Sequence, residues 1–519
     1  MKRSTHQKLA QRKHNILKRL DRKNHRDASG PMFSTANIKY ELADKSRGMV
    51  CGGIGMIHQM VQRVGLAEAI NTRVKLLKRH IPYFESDHVL TLAYNILCDG
   101  ACIEDIERLR NDEVFLDALN VRTIPDPTTA GDFCRRFENE SQLNALMDAI
   151  NSVRVKVWQQ QPAEFFEQAI IDADGTMAPT TGECKTGMDI SYKGEWGYHP
   201  LLVSLANTKE PLYLLNRSGN RPSHERADEY LDKAVVLCRD AGFKKVLLRG
   251  DTDFTQTWKL DEWNAAGDVH FIFGADAIPK HVTLAEALPA TAWKRLDRQP
   301  KYELKTQERT KPDNVKEEIV VRRKFRNQIL QWEDYAEFEH QPTKCKQTYR
   351  VIALRKKIDV MEGEIKLFDE YRYFFYITNI NADDENGAAN QIIFSANDRC
   401  DQENLIAQLK DGGVRAMRNP LDNLYSNWAY MICASLAWTL KAWCALQIPV
   451  APGRYADDHR QAKKKLLKME FKTFAGAIMR VPAQIIRSGR RIIYRLLNWN
   501  PWTSTLMRLS EAMRKPMEC

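Results

Sequence analysis

Residues 167–179, EQAIIDADGTMAP, are where the chain changes period. Before this point apolar residues recur every three or four positions; here they run as in a strand. Two more apolar runs follow, HPLLVSLANT (199–208) and EPLYLLNR (210–217), with Asn207-Thr208-Lys209-Glu210 as the turn between them. Ser223 is placed to cap a helix over HERADEYLDKAVVLCRDAG (224–242), which Gly242 stops. KKVLLRG (244–250) then reads as a buried strand ending at Asp251, a helix is predicted near 258–266, and VHFIFG (269–274) is a further strand. Strand meander, helix, strand, helix, strand is an α/β order.

Outward from this core, 57–150 is helical in pattern, as in GMIHQMVQRVGLAEAI and DHVLTLAYNILCDG. Residues 31–160 are therefore predicted to form an all-α N-terminal domain. Residues 1–30 form a basic arm, with ten Lys and Arg against Asp21 and Asp27. The core's first part is assigned to 161–276. A β-rich insertion over 277–370 includes EEIVVRRKF and TYRVIALRKK, and the core's second part runs over 371–450. RYFFYITNI (372–380) either closes the insertion or rejoins the core sheet. Residues 451–519 are dense in Lys and Arg and read as a basic helical tail.

The 519 residues suffice for two to four domains. With 43% hydrophobic and 28% charged residues the composition is that of a folded soluble protein. A net charge of +11 points to an anionic partner, nucleic acid or an acidic membrane surface. No apolar signal core follows the basic start, and the apolar run Trp428 to Leu440, ending at Lys441, is too short to cross a bilayer. It is predicted as a buried helix, and no membrane partner is expected. Eleven cysteines without a CxxC pair fit a reducing cytoplasm and no structural zinc.

The acidic residues carry the chemistry. Cutting a phosphodiester at neutral pH is served by two divalent ions roughly 3.5–4 Å apart, held by carboxylates from separate elements. Asp174 lies in an apolar strand, where an unpaired carboxylate is costly to bury. Asp172 points to the same face, so alternation leaves both open. Asp251 ends the strand VLLRG, where open α/β sheets bind ligands; it or Asp253 also suits a helix N-cap. Glu403 shares a helix face with Arg399 and Lys410, an arrangement that fits a surface row of ion pairs or a metal ligand between two phosphate-binding cations.

Asp174-Gly175-Thr176, Arg249-Gly250-Asp251-Thr252-Asp253-Phe254, and Arg399 with Glu403 and Lys410 resemble the three signatures of bacterial insertion-sequence DDE transposases. The chain is most similar to the thirteen-eighty group, related to the insertion-sequence-four class. That class carries Tyr, two residues, Arg, three residues, Glu, six residues, Lys; here the spacing from Arg399 onward is kept, and the tyrosine position is Ala396, with Phe394 nearby. Supporting text spans most of the chain, including YKGEWGYHPLLVSLANT and SNWAYMICASLAW. The resemblance implies a ribonuclease H-like catalytic core interrupted by a β-rich insertion, and a metal triad of Asp174, Asp251 and Glu403. It implies two Mg²⁺ ions, with Mn²⁺ able to substitute, and DNA contacts from Arg399 and Lys410. The implied partners are transposon terminal inverted repeats and target DNA, bound by a homodimer in the cytoplasm at the nucleoid. Cleavage at transposon ends and strand transfer into the target are the implied reactions. The alternatives are a nuclease without strand transfer or an inactive DNA-binding relative.

Overall fold

The structure, a computed structural model, describes residues 3–20, 47–80, 82–298, 328–360, 371–489 and 491–514. Of the stretches read from sequence, EEIVVRRKF and part of the basic arm lie outside the described residues.

A mixed sheet of nine strands organises the chain. The first five are β1 (Ala169–Gly175), β2 (Leu201–Leu205), β3 (Glu210–Leu215), β4 (Val246–Gly250) and β5 (Val269–Ala275). The other four are β6 (Lys294–Arg295), β7 (Gln328–His340), β8 (Tyr349–Val360) and β9 (Tyr371–Thr378). Their order across the sheet is β6-β7-β8-β9-β5-β4-β1-β2-β3. β1, β2 and β3 are antiparallel neighbours, whereas β4 runs parallel to both β1 and β5. Every residue of β4 is buried, as befits a parallel strand covered on both faces.

The strand left ambiguous by sequence does both things. β9 pairs with β8 on one side and with β5 on the other, Phe375 opposite Ala275 through Thr378 opposite Ile272. The described strands of the insertion thus continue the core sheet, because ladder hydrogen bonds on both edges of β9 leave no break between them.

Alternation sorts the two faces. Val246, Leu248, Phe271 and Phe273 join the main core, while Leu247 and Ile272 join a smaller cluster with Ile392 and Ile393 of the helix Ala389–Asn397. Ile170 packs on that second cluster, which places Asp172 and Asp174 on the same side.

Two further readings are corrected. The tail is not helical throughout: Ala483–Ser488 and Arg491–Leu496 form an antiparallel hairpin, joined at its edge by Gly48–Met49. RIIYRL alternates exposed and half-buried positions, which is the period of a strand. The apolar run does not end at Lys441 but belongs to a helix, Leu424–Leu446, that is long and apolar enough to cross a membrane and whose apolar window is fully buried in the protein. Lys441 is tolerated because its Nζ donates to the Leu467 carbonyl at 2.8 Å and lies 3.8 Å from the Trp438 ring centre.

Candidate active site

Asp172 and Asp174 part company at once. The β1–β4 register sets Asp172 opposite Arg249, and the two form a bidentate pair, Nε to Oδ1 at 2.7 Å and Nη2 to Oδ2 at 2.9 Å, both side chains almost fully buried. Arg249 also donates from Nη1 to the Ser395 carbonyl at 2.8 Å. Asp172 is therefore neutralised inside the sheet and ties it to the helix above.

Asp174, one pleat further on, has no such partner. Its nearest cation is Arg399, whose Nη2 stands 4.0 Å from Oδ2. Burial pushes its carboxyl up from 3.8 to about 7; Arg399 opposes that rise, and the charges of Asp251 and Glu403 add to it. Asp174, at the strand end, thus senses the charges of Asp251 and Glu403.

Asp251 follows β4 directly. Its Oδ1 accepts from the Asp253 amide at 3.1 Å, so Asp251, not Asp253, caps the single turn Thr252–Phe254. Burial raises its pKa, with Arg399 opposing and Asp253 adding. Two glycines let the backbone come close here. A Cβ on Gly250 would lie 2.5 Å from the Phe254 Cβ, and one on Gly274 would lie 2.8 Å from the Thr252 nitrogen.

Glu403 is exposed on the helix Cys400–Lys410, whose other side is pinned to the sheet. Gln402, almost fully buried, donates to the Leu202 carbonyl at 3.1 Å and accepts from Ser204. Lys209 pairs with Asp401 at 2.6 Å. Sequence reading missed Gln402, although a glutamine in the apolar series Leu405, Ile406, Leu409 is its signal. Arg399 precedes the helix; its Nε is buried without a partner. Burial lowers the Lys410 pKa, against the opposing charges of Glu195, Asp411 and Asp174.

Beside these groups opens a cavity of ≈ 930 Å³, lined by Asp251, Thr252, Arg399, Glu403, Ala396 and the aromatic strand β9. In their present positions no three acidic, His or Cys side chains among the described residues are close enough together to hold a metal ion. Asp251, Arg399 and Glu403 share the lining of this cavity, and the Arg399 guanidinium stands next to Asp174.

A family model described as transposase DDE domain group 1 matches residues 49–517. The chain belongs to this family of DDE transposases. The match takes in the helices from Ile54 onward, the whole nine-stranded sheet and the C-terminal hairpin. No curated protein matches the chain significantly. Among solved structures, one described as the cryo-EM structure of piggyBac transposase synaptic complex with hairpin DNA is 10% identical, with 91% of this chain and 83% of that chain covered at a TM-score of 0.35.

Proposed function

We propose that this chain is an insertion-sequence transposase of the thirteen-eighty group, with a ribonuclease H-like core, that cuts DNA at transposon ends and joins the freed ends to target DNA. The observation that carries the reading is the state of Asp174, raised to about 7 by burial and by the neighbouring charges of Asp251 and Glu403, while Asp172 beside it is neutralised by Arg249. Burial and the charges of Asp251 and Glu403 leave Asp174 under-compensated by the single guanidinium of Arg399, an electrostatic cost that a divalent cation relieves. The strand order β3-β2-β1-β4-β5 supports the ribonuclease H-like reading, and the family membership supports transposition as the process.

Asp174, Asp251 and Glu403 would hold two Mg²⁺ ions, and their hard oxygen donors suit that ion or Mn²⁺. When bound, such ions supply an activated water or 3′-hydroxyl and neutralise charge on the leaving oxygen. The protein's own groups do the rest. The cap bond from the Asp253 amide fixes the Asp251 carboxylate, and Gln402 fixes the helix that presents Glu403. Arg399, with a buried unpartnered Nε, and Lys410 hold phosphate oxygens. A homodimer is the assembly that brings two transposon ends together, in the cytoplasm at the nucleoid.

The test is Mg²⁺-dependent cleavage and strand transfer on paired terminal repeats. Asp174→Ala, Asp251→Ala and Glu403→Ala are each expected to lower cleavage by roughly a thousandfold or more, as loss of a group acting directly on the reacting oxygens does. Unchanged cleavage in any of the three overturns its assignment. Cleavage without joining in the native chain makes it a nuclease instead.

A further inference from the structure

Between β1 and β2 the chain builds a small three-stranded flap from Ala178–Pro179, Asp189–Ile190 and Trp196–Tyr198. Its base is tightly fastened. Tyr198, fully buried, donates to the Thr186 carbonyl at 2.9 Å, and the Thr186 amide donates to the Asp422 carbonyl at 2.8 Å. Asn419 Nδ2 reaches the Ala178 carbonyl at 3.2 Å, and Asn220 Nδ2 reaches Asp189 at 2.6 Å. Gly219 packs so closely that an added Cβ would lie 2.2 Å from the Asp189 carbonyl oxygen.

The tip is the opposite of its base. Ile190 and Trp196 are directly opposed across the hairpin and hence share a face. They are 42% and 51% exposed, and Tyr192 beyond them is 92% exposed. The Gly194 amide bonds to the Ser191 carbonyl at 2.9 Å, and Gly194 has φ +82, so Tyr192 and Lys193 occupy the middle of a tight turn. The Lys193 ammonium lies 5.3 Å from the Tyr192 ring centre. The hairpin is thus firmly held at its base and presents two aromatic rings, an isoleucine and a cation to solvent.

Its place says for what. The flap leaves β1 within three residues of Gly175 and returns to β2 at Leu201, which pairs with Gly175, so its base is set against the strand end that carries Asp174. The flap therefore borders the acidic cleft. An aromatic tip with a cation beside it, near the strand end proposed to act on a phosphodiester, matches unpaired nucleotides, since every base offers a ring for stacking and each link carries a negative charge. We propose that Tyr192 and Trp196 stack on unpaired bases of the DNA strand held at the cleft, with Lys193 on its backbone. This rests on the proposed DNA-cleaving function.

The experiment compares two DNAs of one sequence, a blunt duplex and the same duplex with a short single-stranded overhang, by fluorescence anisotropy in EDTA. The double variant Tyr192→Ala/Trp196→Ala is expected to bind the overhang DNA roughly tenfold more weakly, the loss expected of a stacking contact, and the blunt duplex within about twofold of the native chain. Tyr192→Phe/Trp196→Phe, which keeps both rings, is expected to restore overhang binding, and all variants to keep the native melting temperature. Equal losses on both DNAs, no loss, or a change only in the sedimentation of the free protein, which marks the flap as a contact between copies of the chain, each overturn the proposal. Binding in EDTA is independent of the triad, so inactivity of the cleavage site and failure of the flap are read separately.

Discussion

At the scale of single residues, Asp172 and Asp174 share one face of one strand and differ in what lies opposite. Arg249 meets the first; the second faces Arg399 at 4.0 Å and two other carboxylates. Replacing them has opposite consequences for the metal-free protein. Asp172→Asn leaves Arg249 buried without its counter-charge and costs about 3–5 kcal/mol. Asp174 is a carboxyl whose pKa is higher folded than unfolded, so its charged form opposes folding. That penalty is absent below about pH 4, grows through the window up to about 7 and is complete above it, where it reaches about 4 kcal/mol before screening through its 19% exposure reduces it. Thermal melts in EDTA should show Asp174→Asn more stable than the native chain at pH 8, with the gap closing by pH 4. A gap that does not depend on pH contradicts this account. The strand period placed both aspartates on one face and left them equal, and only the resemblance at Gly175-Thr176 chose Asp174, because what separates them is a partner in another strand, 77 positions away.

At the scale of elements, the Asp251 turn depends on Gly274 in the neighbouring strand. Gly274→Ala introduces a Cβ 2.8 Å from the Thr252 nitrogen and 3.1 Å from the Asp251 carbonyl carbon, so the turn must shift. Cleavage is expected to fall by roughly a hundredfold, the effect of a displacement near one ångström, while stability drops by only about 1–3 kcal/mol. Full activity with a normal melting temperature would show that the turn is not held as described. The strands β1 to β5 and the Glu403 helix were legible because their apolar periods are clean. The tail hairpin was not, because Arg487, Arg491 and Arg495 made it read as one more basic helical stretch. β9 was ambiguous because a strand in the middle of a sheet looks alike whichever neighbours it has.

At the scale of the molecule, one hydrophobic core runs from Met49 to Met513 and joins the N-terminal helices, the sheet and the C-terminal segment. Gly52 packs where an added Cβ would lie 2.4 Å from the Val481 carbonyl oxygen, and the Tyr494 hydroxyl donates to the Ala118 carbonyl at 2.8 Å. Packing therefore runs across the positions near 160, where the period changes, and near 450, where Lys and Arg become dense. A chain ending at residue 480 loses the hairpin, Tyr494 and Leu506 from this core, and its N-terminal helices are expected to melt at a lower temperature, seen by circular dichroism. Unaltered melting would make the tail an appendage.

The claim on which all of this turns is that Asp174, Asp251 and Glu403 close on the same metal ions. Iron-mediated affinity cleavage reads that contact without needing a DNA substrate. Fe²⁺ with ascorbate and peroxide should cut the backbone beside residues 174, 251 and 403 together, with Mg²⁺ competing and Asp251→Asn abolishing all three cuts. Cuts elsewhere, or cuts at these positions that survive Asp251→Asn, would contradict it.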